Sequence, residues 1–385
     1  MASTHRLLTT CLVTLILSAA AAVLADENKQ AKAKPDSAPK AQLAILLDTS
    51  NSMDGLIDQA KTQLWAIVGE FTKMDLACKS PRLEVALYEY GNSGIPASTG
   101  FIRQVVPLTE DVDRISEALF ALTTNGGDEY CGQVIQVATE QLKWSKDRRS
   151  LKAIFIAGNE PFTQGEVDYR TACKAAADKG ITVSTIHCGD KQTGIATQWE
   201  HGAKLADGSY FCINQDHKTH AIAAPQDQEL TRLSNELNST YLPYGVHREE
   251  AANRQMAQDQ NAAKAAASSA AARAGFKASK QYRNSGWDLV DAVTEEKVEL
   301  EELPKEQLPE AMRSLDGPAR AKYVAEMAKK RAAIQAEIRK LSDARDAYLA
   351  KERKRLAAEA PAEARAAAAP LAEAVGKAIK AQASE

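Results

Sequence analysis

The chain has 385 residues, 44% hydrophobic and 26% charged, with a formal net charge of −3. Such mild acidity gives no reason to expect a nucleic-acid partner, because binding a phosphate chain calls for a basic excess. The length accommodates one large domain plus an extension.

Residues 1–25 read as a secretory signal peptide. Arg6 supplies the positive start, Leu7 to Leu17 is almost wholly apolar, and Val23-Leu24-Ala25 suits a signal peptidase. That apolar core is short for a membrane span, and no later segment is long and apolar enough to cross a bilayer. The expectation is an exported protein, periplasmic or secreted, with no transmembrane span once the signal is removed. Five cysteines would remain, Cys78, Cys131, Cys173, Cys188 and Cys212. An oxidising compartment allows one or two disulfides, including one among Cys131, Cys173 and Cys188, but the odd count leaves a thiol over. Their spacings suggest no zinc site, and no CxxC is present.

Residues 26–40 are charged, contain proline and lack large apolar side chains, as a linker does. From Ala41 the composition changes. Gln42–Leu47 is an apolar run expected to form a strand buried on both faces. Residues 55–74 carry Leu56, Leu64, Ile67, Val68 and Phe71 at helical spacing. Leu83–Tyr90 and Phe101–Leu108 read as strands, and helices are expected over 109–122 and 133–144. Strand 152–156, helix 167–179 with Gly180 as its stop, strand 181–188, helix 195–205, strand 210–213 and helix 228–241 follow. Strands alternating with amphipathic helices predict an α/β fold, a doubly wound and mostly parallel sheet with helices on both faces, over residues 41–245.

Residues 246–385 are rich in Ala, Glu and Lys, which favour helix. Met327, Ile334, Leu341 and Tyr348 recur every seven residues, whereas Ile338 is flanked by Arg331 and Arg345. The pattern predicts a helical, partly coiled-coil extension: a long hairpin or weak coiled coil with scope for self-association. Pro304, Pro309 and Gly317-Pro318 divide it. Trp287–Val293 is its one compact apolar patch, expected to dock back on the α/β domain.

The chemistry concentrates at Asp48-Thr49-Ser50-Asn51-Ser52, between the first strand and its helix. In a doubly wound sheet, ligands bind beyond the carboxyl ends of the strands. One carboxylate and two hydroxyls there form a hard oxygen set suited to magnesium or another divalent cation, which keeps some of its waters. The same serines could instead cap the following helix. His187 and Cys188 end a strand nearby and read as a pair packed under a loop. Trp199 reads as core, and His217 and His220 as loop residues. No Ser-His-Asp set or phosphate-binding GxxxxGK[ST] loop is recognisable, which argues against an enzyme.

On these residues the sequence resembles the von Willebrand factor type A family over about residues 41–245, with supporting fragments LEVALYEYG, TTNGGDEY and LADGSYF. The resemblance implies a metal-ion-dependent adhesion site in a binding module. A threonine from a second loop and an aspartate after a central strand would join the D-x-S-x-S residues, and an acidic group of a protein or surface partner would complete the coordination. Two positions depart from that pattern. Asp128 stands where the threonine is expected, with Thr124 and Glu129 as nearby substitutes. Gly158 takes the aspartate's place, next to Asn159 and Glu160. One carboxylate is thereby moved from the third loop to the second. The expected metal set is Asp48, Ser50, Ser52 and Asp128, with magnesium as cofactor. The alternative function is a scaffold that acts through its helical tail, its metal site degenerate.

Overall fold

The structure is a computed structural model that describes residues 38–74, 76, 80–213, 222–359 and 371–382. The signal peptide, nearly all of the linker, Cys78, His217 and His220 lie outside the described residues.

In chain order the first elements are β1 (Lys40–Asp48), α1 (Asp54–Phe71), β2 (Arg82–Tyr90), β3 (Ile102–Thr109), α2 (Val112–Ala121) and α3 (Cys131–Gln141). Then come β4 (Leu151–Gly158), α4 (Tyr169–Asp178), β5 (Thr182–Cys188), α5 (Lys191–Ala196), α6 (Trp199–Leu205) and β6 (Tyr210–Ile213). The helices after the sheet are α7 (Asp227–Asn238), α8 (Arg248–Ala265), α9 (Ala267–Lys277), α10 (Leu289–Thr294), α11 (Gly317–Glu359) and α12 (Leu371–Gln382).

The strands form one six-stranded sheet in the order β3-β2-β1-β4-β5-β6. Only the edge pair β2–β3 is antiparallel. The predicted doubly wound α/β architecture is therefore present. β1 is apolar from Leu43 to Leu47 because both of its faces are covered: Leu43 and Leu47 face α1 and α2, while Ala44 and Leu46 face α3 and α4. Gly180 closes α4 in the left-handed region, at φ 65°. The helix expected over 195–205 is instead two, α5 and α6. Gln198 breaks it at φ 75° and lets the Trp199 indole enter the core, fully buried.

The extension forms a second helical layer over the α1 face. Phe276 of α9 meets Trp65 of α1 with ring centroids 5.8 Å apart. Leu371, Val375, Ala378 and Ile379 of α12 enter the same core as α1. Trp287 docks as expected, stacked on Tyr241 at 5.7 Å. The seven-residue row in α11 does not behave as one seam. Ile334 is buried, but Tyr348 is among the exposed large apolar side chains. Arg331 and Arg345, which interrupt the pattern, are themselves buried, because each reaches carboxylates packed beneath α11. Arg331 Nη1 donates to Asp288 (2.6 Å) and Asp291 (2.7 Å), and Arg345 Nε donates to Asp227 (2.6 Å). Along this stretch α11 is a continuous helix lying on α7, α9 and α10.

Buried charge also joins the layers beneath. Arg273 of α9 donates to Asp113 of α2 at 2.7 Å and pairs with Asp259 of α8. Lys277 Nζ lies 2.9 Å from Asp259 and 2.6 Å from the Asn238 side-chain oxygen. Tyr282 donates to the other Asp113 oxygen at 2.7 Å. Two acids and two bases offset one another here, with their hydrogen-bonding capacity largely used.

Candidate metal centre

β1 delivers Asp48 to the carboxyl edge of the sheet, between β2 and β4, where chain direction across the sheet reverses. Asp48 is 0% exposed. Its Oδ1 accepts from the Ser50 amide at 2.8 Å, while its Oδ2 has no hydrogen-bond partner. Ser50 and Ser52 bring their hydroxyls to 3.2 Å from one another, and Asn159 Nδ2 donates to Ser52 Oγ at 3.1 Å. The Ser50 side chain makes no capping bond to the turn that follows.

The second loop is pinned by its backbone. The Asn125 amide donates to Thr49 O at 3.0 Å and the Ser93 amide to Gly126 O at 2.8 Å. Gly127 is required there: a Cβ would lie 2.7 Å from the Gly91 carbonyl oxygen. The loop then turns Glu129 inward and Asp128 outward. Glu129 is 6% exposed, and its side chain meets Asp48 around Gly91, where a Cβ would sit 2.7 Å from Glu129 Cγ and 2.9 Å from Asp48 Oδ1. Asp128 is exposed and accepts from the Tyr130 hydroxyl at 3.1 Å. Thr124, the other substitute, is bonded to Asp54. Which of two adjacent loop residues faces inward carries no sequence period, so the choice between 128 and 129 was not readable.

The third loop shows why no aspartate follows β4. A Cβ on Gly158 would meet Tyr90 Oη at 2.5 Å and Asp48 Oδ2 at 3.0 Å. Tyr90, the fully buried last residue of β2, holds that space by donating to Ala157 O at 3.0 Å. Sequence reasoning missed Tyr90 altogether, since its place at the end of LEVALYEY marks only a strand. Glu160 contributes its backbone carbonyl to Trp199 Nε1 at 2.9 Å, leaving its side chain exposed.

Burial raises the pKa of Asp48 despite the Ser50 hydrogen bonds; burial and then the charge of Asp48 raise that of Glu129. No basic side chain relieves either group. Glu129 Oε2, like Asp48 Oδ2, is buried without a partner. Among the described residues no group of three or more His, Cys, Asp or Glu side chains could hold a metal ion. A cation at this edge would rest on two carboxylates and two hydroxyls. These donors fit a hard divalent ion: all are oxygens, two are buried and unpartnered, and their joint charge matches the ion's.

His187 is buried, 5.8 Å from Trp199 between ring centroids, with Gly189 and Gly194 close over it, as expected of a packed pair rather than ligands. Cys131, Cys173, Cys188 and Cys212 are all free. Cys188 packs in the α1-side core and Cys131 and Cys173 in the opposite one, so the sheet separates Cys188 from the other two.

A doubly wound α/β domain with a hydroxyl-rich turn at its switch point defines the class. Residues 42–200 match the von Willebrand factor type A domain model. Domains of this family commonly mediate protein binding, often with a metal-dependent site. Similar solved structures include BatB from Bacteroides thetaiotaomicron: 20% identity over 45% of this chain and 90% of that one, TM-score 0.34. Another is an aerotolerance-related membrane protein from Bacteroides fragilis: 16% identity over 46% of this chain and 93% of that one, TM-score 0.33. No curated protein sequence matches the chain. Among the described residues no helix is long and apolar enough to cross a membrane.

Proposed function

We propose that the protein is an exported binding module that engages a protein or surface ligand through a divalent cation, with magnesium the best match. Asp48, Ser50, Ser52 and Glu129 would hold the ion, and Asp128 would stay outside the set. One observation carries this reading: two buried carboxylates face one another, each with an unpartnered oxygen and no basic neighbour. An arrangement of that kind is costly unless a cation balances it. A bound ion would supply that balance and an electrophilic point for an oxygen of the partner. The residues around it supply the rest: the Ser50 amide orients Asp48, Asn159 orients Ser52, and Tyr90 closes the third side.

Titration calorimetry with magnesium chloride tests the proposal. The wild-type chain should bind one ion and gain thermal stability as the ion is added, and Asp48→Asn should lose both effects. Wild type that takes up no ion, or Asp48→Asn that binds as well, would overturn it. Export is checked separately by fractionating cells that carry the full chain, with Asp26 expected as the mature amino terminus.

A further inference from the structure

We infer that Asn125 is a site of spontaneous modification, and that its conversion to isoaspartate loosens the loop that turns Glu129 toward the metal edge. The inference adds a regulation to the cation-assisted reading above and, for its effect on the ion, rests on it.

Asn125-Gly126 is the one Asn-Gly pair in the chain. Asparagine is chemically labile, and most so where the next residue has no side chain to keep its backbone nitrogen away from the asparagine amide. That nitrogen is already close, since Gly126 N donates to Asn125 Oδ1 at 3.1 Å. Asn125 is exposed, so water reaches it and ammonia can leave, and its side-chain nitrogen makes no hydrogen bond among the described residues. Asn92, in the neighbouring loop, is the contrast. Its side-chain nitrogen donates to Thr123 O at 3.0 Å, its oxygen accepts from Gly94 N at 2.8 Å, and Ser93 follows it. Nor does the fold require glycine at 126. Its backbone lies outside the left-handed region, and a Cβ there would meet Asn51 Nδ2 at 3.4 Å, an ordinary contact.

In the reaction Gly126 N gives up its proton and bonds to Asn125 Cγ, the Cγ–Nδ2 bond breaks, and the amide nitrogen leaves as ammonia with that proton. Water then opens the ring. Attack at Cγ gives aspartate; attack at the Asn125 main-chain carbonyl carbon gives isoaspartate, whose Cβ and Cγ now belong to the main chain. The sum is hydrolysis of an amide, and no oxidant or reductant takes part. The main chain gains a carbon between two anchored points, the Asn125 amide on Thr49 O and the Gly126 carbonyl under the Ser93 amide. Thr49 stands between Asp48 and Ser50, and Gly126 shortly before Glu129. Both sides of the metal edge are therefore tied to the segment that lengthens.

Freshly purified full chain is incubated at mildly alkaline pH, its peptides are weighed, and isoaspartate is read by methyl transfer from an isoaspartyl methyltransferase. Asn125 should convert while Asn92 stays intact. Gly126→Ala should melt as wild type does and keep Asn125 intact over the same period. The converted chains carry an added negative charge, by which anion exchange separates them. In chelator that fraction should melt below fresh protein, and it should bind magnesium about tenfold more weakly. Freshly prepared Asn125→Asp, which has the charge without the added carbon, should melt and bind like wild type. Asn125 that survives the incubation, or converts as quickly in Gly126→Ala, would overturn the inference. So would a converted fraction that melts and binds as fresh protein does, or Asn125→Asp impaired as much as that fraction. Failure of the metal reading looks different: fresh wild type takes up no magnesium, while the masses and the melts in chelator still decide the fate of Asn125 and its loop.

Discussion

Asp113 and Asp259, under the helical extension, and Asp48 and Glu129, at the sheet edge, are both carboxylate pairs withdrawn from water, yet they live in opposite surroundings. Asp113 and Asp259 share Arg273, which lies over the Trp65 ring at 4.3 Å, and Asp259 also has Lys277. Asp48 and Glu129 have hydroxyls, an amide and one another. The first set is complete within the chain and joins α2, α8 and α9 into one layer. The second balances only if something arrives from outside. Desolvation acts on both sets, so whether the chain provides a countercharge separates a structural cluster from a site that takes a ligand.

The largest expected effect comes from making the balanced set resemble the unbalanced one. Arg273→Met leaves Asp113 and Asp259 buried without their shared cation and should cost about 3–5 kcal/mol of stability, read by urea unfolding. A loss below about 1 kcal/mol would show that the network is no better matched than the edge. The next effect is one of pH. Burial pushes Asp259 upward, but Arg273 and Lys277 outweigh it and hold the group at about 2, against 3.8 ordinarily. Because the folded-state value is the lower one, the stabilisation is complete above about pH 4 and fades as pH falls toward 2, amounting to about 2 kcal/mol. In Asp259→Asn that portion of the acid loss should be absent, which thermal melts across the window would show.

Much of the fold was legible because strand and helix periods are properties of neighbouring residues. The apolar run of β1, the spacing in α1 and Gly180 behind α4 all report their local setting. What failed to show depends on distant partners. Arg331 and Arg345 read as breaks in a seven-residue row, yet they are buried because Asp288, Asp291 and Asp227 wait beneath them. The D-x-S-x-S turn likewise announced half of the candidate site. The other half was silent, since the inward turn of Glu129 and the Tyr90 hydroxyl in the space beside Gly158 come from loops meeting across the sheet edge.

Glu129→Gln and Asp128→Asn sharpen the comparison to two adjacent residues. Removing the inward charge should stabilise the cation-free protein by about 1–2 kcal/mol, because a buried, like-charged carboxylate is replaced by an amide of similar shape. The same change should abolish the rise in melting temperature that magnesium gives wild type. Stability gained at the expense of binding is the pattern of a site strained for its ligand. The outward neighbour should behave as ordinary surface. Asp128→Asn loses one exposed bond from Tyr130, so stability and magnesium affinity should each stay within about 0.5 kcal/mol of wild type. If Asp128→Asn lost magnesium while Glu129→Gln kept it, the inward and outward assignments would be reversed. The unpartnered oxygen of Glu129 would then be a cost without a counterpart, and the contrast between the two buried pairs would lose its meaning.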